Sequence, residues 1–267
     1  MTDDWRSYDQ IAASYEALWT PRFVTVARHL IDLAPPREGS RVLDLGAGTG
    51  AVARALGEAL PTVGRMVGCD LSLAMISQAR FPPPFCAVVG NMLRLPLRDA
   101  AFDLVTANCV LSHVADHQAA LREVLRVLDR PGALLASSWV PPGEDPAMTA
   151  WGELLDVAVG PGAAERATAE VSPLETFFSV PENVRASLSG AGFDAVRIDE
   201  IGFSSEHNVE EYVAERSLNA SGRLARQILG ETGWRAFSDR ATAEFRRRFG
   251  NRIGFSRRVL LASATVR

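Results

Sequence analysis

The chain has no lysine; all 28 of its basic side chains are arginine. Every positive side-chain charge apart from histidine is thus a guanidinium, which keeps its proton in proteins. So uniform a choice reads as the coding bias of a GC-rich genome, not as a functional signal. Cysteine is scarce too, limited to Cys69, Cys86 and Cys109. An odd number without metal-like spacing argues against a disulfide framework or a metal site and fits buried thiols in a reducing compartment. No apolar run approaches the roughly 20 residues of a membrane-spanning helix. The start, Met1-Thr-Asp-Asp-Trp5, is acidic where a secretory signal would be basic and then apolar. No membrane partner is expected, and the chain reads as cytoplasmic. There is no internal repeat and no low-complexity tract. The net charge of −4, without a recognised binding motif beside the arginines, argues against nucleic acid.

What is present is a chain of 267 residues, long enough for one large α/β domain with an elaboration. Its most informative stretch is Val42-Leu-Asp-Leu-Gly-Ala-Gly-Thr-Gly50. An apolar run ending in three alternating glycines, followed by an Ala- and Leu-rich helix over Ala51 to Leu60, lets a ligand lie against the backbone. Gly46, Gly48 and Ala51 also satisfy the dinucleotide fingerprint, which keeps a nicotinamide or flavin reading open. Asp44 favours another ligand: it suits an amino group and repels a pyrophosphate. A second apolar run, Met66 to Cys69, ends at Asp70, the spacing of a carboxylate that grips ribose hydroxyls.

Asp44 to Gly50 and then Gly68-Cys-Asp-Leu-Ser72 resemble the class I S-adenosylmethionine-dependent methyltransferases. Three further segments match in the family's order: Gly90 to Asp103, Leu104 to His113, and Glu123-Val-Leu-Arg-Val-Leu-Asp-Arg-Pro-Gly132. The resemblance spans Tyr8 to Trp139 and is nearest to small-molecule methyltransferases similar to quinone-biosynthesis enzymes. It implies a Rossmann-like α/β sheet of seven strands with an antiparallel last strand, and S-adenosyl-L-methionine as cofactor. It also implies cofactor contacts at Asp44, Gly46, Ala47, Gly48, Gly50, Asp70 and Leu71, with Asn91 and Met92 beside the adenine and Asn108 near the methionyl end. Two positions depart from the family pattern. Asn91 stands where an aspartate often accepts from the adenine amino group, and a neutral acceptor is roughly half as strong. Ala133 replaces the second glycine of Pro-Gly-Gly, which a tight turn tolerates at negative φ.

Periodicity predicts helices over Asp9 to Trp19 and Arg22 to Leu33, broken at Pro21. Strands are expected at Arg41–Leu45, Arg65–Cys69, Phe85–Val89, Asp103–Thr106, Ala133–Trp139, Ala195–Ile201 and Phe255–Val266, the early ones alternating with helices as in a parallel sheet. Helix is expected over Pro146 to Val159, then an irregular Gly/Ala/Pro stretch, a helix from Ser179-Val-Pro-Glu182 to Gly190, and helix again over Asn208 to Gly250. The chain thus reads as one domain over 1–267: N-terminal helices (1–35), a cofactor-binding core (36–140), and insertions at about 141–180 and 206–250. Both insertions exceed ordinary connections and are expected to cap a substrate site beyond the carboxyl edge of the sheet, although a plain covering of the sheet or a dimer contact fits the same pattern. Monomer and homodimer both remain open.

From Arg216 to the C-terminus, twelve arginines face three acids. Trp234, Phe237, Ala241, Phe245 and Phe249 form an apolar stripe with Arg235, Arg246, Arg247 and Arg248 mostly off it. An anion sink and a solvated face both fit, and charged helix faces usually mean solvent.

His113, just past the fourth strand, is the candidate general base, a role that adds about 10²–10⁴-fold for a weakly acidic hydroxyl; loop bracing fits it equally. His117 is expected at a helix start, His207 is a weaker candidate from the second insertion, and His29 reads as structural. Cys109 lies beside the loop but reads as a small buried hydrophobe. Tyr8, Tyr15 and Trp139 are the aromatic candidates for contact with a flat small-molecule acceptor; other large aromatics are expected in the core. Methyl transfer to such an acceptor is the expected activity. A cyclase or a cofactor-binding protein of the same fold is the alternative, and a dehydrogenase is third.

Overall fold

A computed structural model of the chain describes residue 4 and residues 6–59, 64–79 and 85–266. Two helices, α1 (Ala12–Leu18) and α2 (Thr20–Asp32), precede the alternation β1 (Arg41–Leu45), α3 (Ala51–Ala59), β2 (Arg65–Asp70), α4 (Leu73–Gln78), β3 (Phe85–Val89), β4 (Phe102–Asn108), α5 (His117–Val127) and β5 (Leu128–Val140). Then come α6 (Pro146–Val159), α7 (Ala163–Val171), α8 (Glu175–Phe178), α9 (Pro181–Ala191), β6 (Asp194–Asn208), α10 (Val209–Leu218), α11 (Ala220–Phe249) and β7 (Arg252–Val266). Leu60, the expected end of α3, and most of the acidic start lie outside the described residues.

The strands form one sheet in the order β3-β2-β1-β4-β5-β7-β6. The pairs β1–β2, β1–β4, β2–β3 and β4–β5 are parallel, whereas β7 runs antiparallel to both β5 and β6. Chain order reverses at β1, so the first crossovers leave it in opposite directions and open a crevice between its end and that of β4. Successive residues of the central strands serve opposite faces. Leu43, Val105 and Leu134 join the core cluster that includes Leu121, Val124 and Leu188. Val42, Leu104 and Leu135 join the one that includes Val26, Leu30 and Leu56. Both faces are covered, which explains why these strands read as continuous apolar runs.

A third cluster joins the two insertions: Trp151 and Leu155 of α6 pack with Tyr212 and Val213 of α10 and with Trp234, Phe237, Ala241 and Phe245 of α11. The apolar stripe of α11 is therefore core. Asp145 caps α6 through the amides of Ala147 and Met148, and Asn208 and Glu211 close a capping box on α10, satisfying amides that have no intrahelical partner.

Several expectations need correction. Pro21 does not break a helix; it sits in the first turn of α2, where no N–H is needed, and the boundary falls between Leu18 and Thr20. The irregular stretch after α6 contains α7, whose residues after Gly162 are mostly good helix formers. The second insertion is two helices, the second kinked at Gly230 with φ +65°. β6 runs seven residues beyond Ile201 because β7 pairs with it out to Asn208↔Arg252. Cys69 and Cys109 are buried, but Cys86 is exposed, since β3 lies at the sheet edge. Ala133 is absent from the positive-φ residues and pairs with Leu104 and Thr265 inside the sheet.

Phe245 is fully buried, with its ring centre 5.2 Å from that of Tyr212 and 5.4 Å from that of Phe249. Phe245→Ala should cost about 3–5 kcal/mol, read as a lowered urea midpoint at unchanged slope. A loss below 1 kcal/mol would show that the third cluster does not unfold with the sheet.

Candidate functional site

At the end of β1 all three glycines have positive φ: +62° at Gly46, +52° at Gly48 and +89° at Gly50. Gly46 is the strictest, because a Cβ there would stand 2.3 Å from Val110 Cγ2 and 2.8 Å from Val110 Cβ. The loop is thereby held against the segment that follows β4. Its backbone closes on the neighbouring strand, with Ala47 N–H donating to the Cys69 carbonyl at 3.1 Å and Gly50 N–H to the Ala47 carbonyl at 2.8 Å.

Two carboxylates flank the loop. Asp44 is 1% exposed, and one oxygen accepts from Thr106 Oγ1 at 2.7 Å. Burial pushes its carboxyl up to about 7; the Thr106 bond opposes the shift and the charge of Asp70 adds to it. Asp70 accepts from Gly48 N–H and from Ser72 N–H, each at 2.8 Å. Burial raises its carboxyl, and these backbone bonds hold it back. A carboxylate offers about four acceptor sites, so Asp70 keeps capacity for ligand hydroxyls. Beyond it Leu71 is 72% exposed, an apolar step at the rim.

The cleft at the loop encloses about 30 Å³ and is lined by Asp44, Gly46, Gly48, Asn108, Tyr15 and Phe23 among others, with no cationic side chain. That volume holds about two waters. The roof is the N-terminal segment, in which Tyr15 stacks on Trp19 and Phe23 at 5.9 and 5.7 Å. Thr20 and Thr49 share a hydroxyl contact of 2.5 Å, and Asn108 Nδ2 donates to the Phe23 carbonyl at 3.2 Å. Asp9 accepts from Ser72 Oγ, Glu16 pairs with Arg54, and Arg22 pairs with the buried Glu215 of α10 while also reaching His207 Nε2 at 2.8 Å. A nucleoside is much larger than this space.

His113 ends the 3-10 turn after β4. Its Nδ1 lies 2.9 Å from the Val171 carbonyl and 3.0 Å from Ser172 Oγ at the end of α7. A carbonyl only accepts, so Nδ1 carries the proton and Nε2 holds a free lone pair. Burial lowers its pKa; the Val171 bond opposes that, and nearby Arg223 adds to it. The imidazole is therefore neutral at pH 7. Its ring meets Tyr8 edge-on at 5.9 Å, and Tyr8 meets Tyr15 likewise.

The structure brings Asp44, Gly46, Ala47, Gly48, Gly50, Asp70, Asn108 and Tyr15 together around the loop, and it links His113 to Tyr15 through Tyr8. Leu71 and Asn91 are exposed and Met92 packs against the first core cluster, and Asn91 Oδ1 accepts from Leu93 N–H at 2.9 Å. Trp139 is one ring further away, edge-on to Phe23 at 5.7 Å. His117 is the first residue of α5, between Phe177 and Phe178, and His29 lies in the last turn of α2. Phe23, Thr106 and Arg223 escaped sequence reading. Thr106 carries a cue, since it faces Asp44 across the parallel pair; Arg223 carries none. Cys109 has φ +55°, and burial pushes its thiol up to about 12, so it stays protonated and un-nucleophilic. Among the described residues no His/Cys/Asp/Glu group could hold a metal ion, and no helix is long and apolar enough to cross a membrane.

Comparison with known proteins agrees with this fold. The family model described as "Methyltransferase domain" matches residues 43–136. The demethylmenaquinone methyltransferase of Beutenbergia cavernae is 32% identical over 154 residues, 57% of this chain and 60% of that one. The nocamycin O-methyltransferase of Saccharothrix syringae is 30% identical over 204 residues, 71% of this chain and 72% of that one. The chain spans less than two thirds of the length of several such relatives, in one case 48%. A methyltransferase from an antibiotic biosynthesis pathway of Anabaena variabilis, described as putative, superposes with a TM-score of 0.61 at 20% identity over 91% of this chain and 97% of that one.

Asp44 makes the site pH-dependent. Its folded pKa of about 7 exceeds the unfolded value of roughly 3.9, so the folded state holds the extra proton between those limits. Its contribution to stability is therefore present at low pH and lost as pH rises through about 7. A ligand ammonium needs the ionised form. S-adenosylhomocysteine affinity, measured by titration calorimetry, should weaken up to about tenfold from pH 7 to pH 6, and Asp44→Asn should flatten that dependence. Gly46→Ala should abolish binding in a folded protein; retained affinity would refute the Val110 constraint.

Proposed function

The chain belongs to the class I S-adenosylmethionine-dependent methyltransferases, and from that premise we propose that it transfers a methyl group to a small-molecule acceptor at oxygen, carbon or nitrogen. Bacterial secondary metabolism or quinone-like chemistry is the setting that the named relatives support. The observation that carries this reading is the buried Asp44 carboxylate in a cleft with no cation among its lining residues. Such a site repels a pyrophosphate and attracts a ligand with a positively charged amino group.

The residues fit the cofactor. Asp44 would hold its amino group, Gly46 and Gly48 would let it approach the backbone, and Asp70 would take ribose hydroxyls with its remaining lone pairs. Leu71 and Met92 would border the base, and Asn108 would lie near the methionyl end. When bound, S-adenosylmethionine supplies a methyl group activated on a sulfonium. The remaining work falls to orientation and exclusion of water, with positioning worth up to about 7–11 kcal/mol. Tyr8, Tyr15 and Phe23 close the site, with Trp139 braced behind Phe23. His113, held by Val171, accepts a proton at Nε2 when the acceptor is a hydroxyl. The two insertions and the N-terminal helices act as the lid.

Asn91 favours a second reading, a cofactor-binding protein or cyclase of the same fold, because a neutral amide oxygen holds an adenine amino group roughly half as strongly as a carboxylate would. Methyl-labelled S-adenosylmethionine incubated with the protein and small-molecule acceptors separates the two: label in a product supports transfer, and tight binding without labelled product supports the second reading. In calorimetry both S-adenosyl compounds should bind and NAD should not; NAD binding alone would overturn the assignment. His113→Gln should lower kcat by about 10²–10⁴-fold for a hydroxyl acceptor while leaving S-adenosylhomocysteine affinity unchanged. Limited proteolysis should show the N-terminal helices and both insertions protected by that ligand, and unchanged cleavage would count against a moving lid.

A further inference from the structure

The arginine-rich C-terminal part contains two populations. Arg246, Arg247 and Arg248 lie at the surface and pair with Glu210, Glu244 and Glu153. Arg223, in the first turn of α11, is instead 6% exposed. Its Nη1 donates to the carbonyl oxygens of Arg6 at 3.2 Å and Ser7 at 3.1 Å. Its guanidinium carbon stands 4.5 Å from the centre of the Tyr8 ring, and its Nε has no hydrogen-bond partner. Arg22 has Glu215 and Arg257 has Asp145 at 3.3 Å; the buried Arg216 lies 5.0 Å from the centre of the Tyr212 ring and, like Arg223, has an Nε without a hydrogen-bond partner. Among the described residues no carboxylate pairs with Arg223; Asp4, whose field reaches it, is bonded to Arg6.

A guanidinium cannot shed its proton to escape burial. Carbonyl oxygens and an aromatic face satisfy part of its donor set but supply no net negative charge. This deficit adjoins the proton acceptor of the site, because the Tyr8 ring that Arg223 covers also meets His113 at 5.9 Å. We propose that Arg223 recognises an anionic oxygen of the methyl acceptor, a small molecule bearing a carboxylate or an acidic hydroxyl, at the wall formed by Tyr8 and His113. The inference rests on the methyltransferase reading and adds the acceptor's charge to it.

A latch role, tying the N-terminal segment to α11, would use the same carbonyl bonds, and the test separates the two. Benzoate and the uncharged benzamide are titrated into the full-length protein saturated with S-adenosylhomocysteine, with melting temperature as a folding control. A charge-assisted bond predicts that benzoate binds at least about tenfold more tightly. Arg223→Gln, which keeps neutral donors toward Arg6 and Ser7, should abolish that preference, and Arg223→Lys should keep part of it. Equal affinities in the wild type, no measurable benzoate binding, or a preference that survives in Arg223→Gln would each overturn the proposal. If the wild type binds benzoate preferentially and Arg223→Gln loses only melting temperature, Arg223 is a latch and the proposal fails. Absence of S-adenosylhomocysteine binding in the wild type would remove the methyltransferase reading and this inference together, whereas intact binding without an anion preference removes the inference alone.

Discussion

Gly46 carries no side chain because Val110 fills the space where its β-carbon would stand. That single contact ties the end of β1 to the segment after β4, and most of the site hangs from it. Asp44 is the last polar residue before the junction, Asn108 and Cys109 lie just before Val110, and His113 follows within one turn. A looser junction would separate the cofactor side from the acceptor side. The positive φ of Cys109, uncommon for a residue with a β-carbon, lies within the same few residues and fits a junction held tightly by its surroundings.

Two buried charged groups lack an ionic partner among the described residues. Asp44 is buried with a hydroxyl for company, and Arg223 is buried with carbonyls and a ring. Each arrangement costs folding free energy in the ligand-free protein and is relieved by a ligand of opposite sign. A positively charged amino group would relieve Asp44, and an anionic acceptor would relieve Arg223. The N-terminal segment lies between them, hydrogen-bonded to the glycine-loop side through Thr20 and Asp9 and to the insertions through Arg22 and Arg223. Its position would make cofactor access and acceptor access depend on one element.

Much of this was legible in advance. The apolar runs of β1, β2, β4 and β5 show because both faces of the sheet are buried there, and the three glycines show because backbone conformation restricts what can replace them. The antiparallel last strand and the seven-strand sheet followed from the family resemblance. Pro21 misled because a proline at the first turn of a helix and one that breaks a helix look alike in sequence. Cys86 misled because a strand at the sheet edge has the same composition as one inside. The length of β6 was hidden because its outer half, Gly202 to Asn208, is polar and is ordered by hydrogen bonds to β7 instead of by burial.

The glycine loop, the two acids at the ends of β1 and β2, and the strand–helix alternation were determined by the sequence itself, because each depends on neighbours within a few residues or on a short repeating pattern. Tertiary structure decided which arginines are solvated and which are buried, which imidazole nitrogen is free, and that Tyr15 and Phe23 close the cleft. Those properties depend on partners far along the chain, Val171 for His113 and Arg6 and Ser7 for Arg223, or on the dielectric that packing creates. Arg223 and Arg246 are the same residue type on the same helix, and only the fold gives Arg246 an acid in water and Arg223 an aromatic ring that also meets His113.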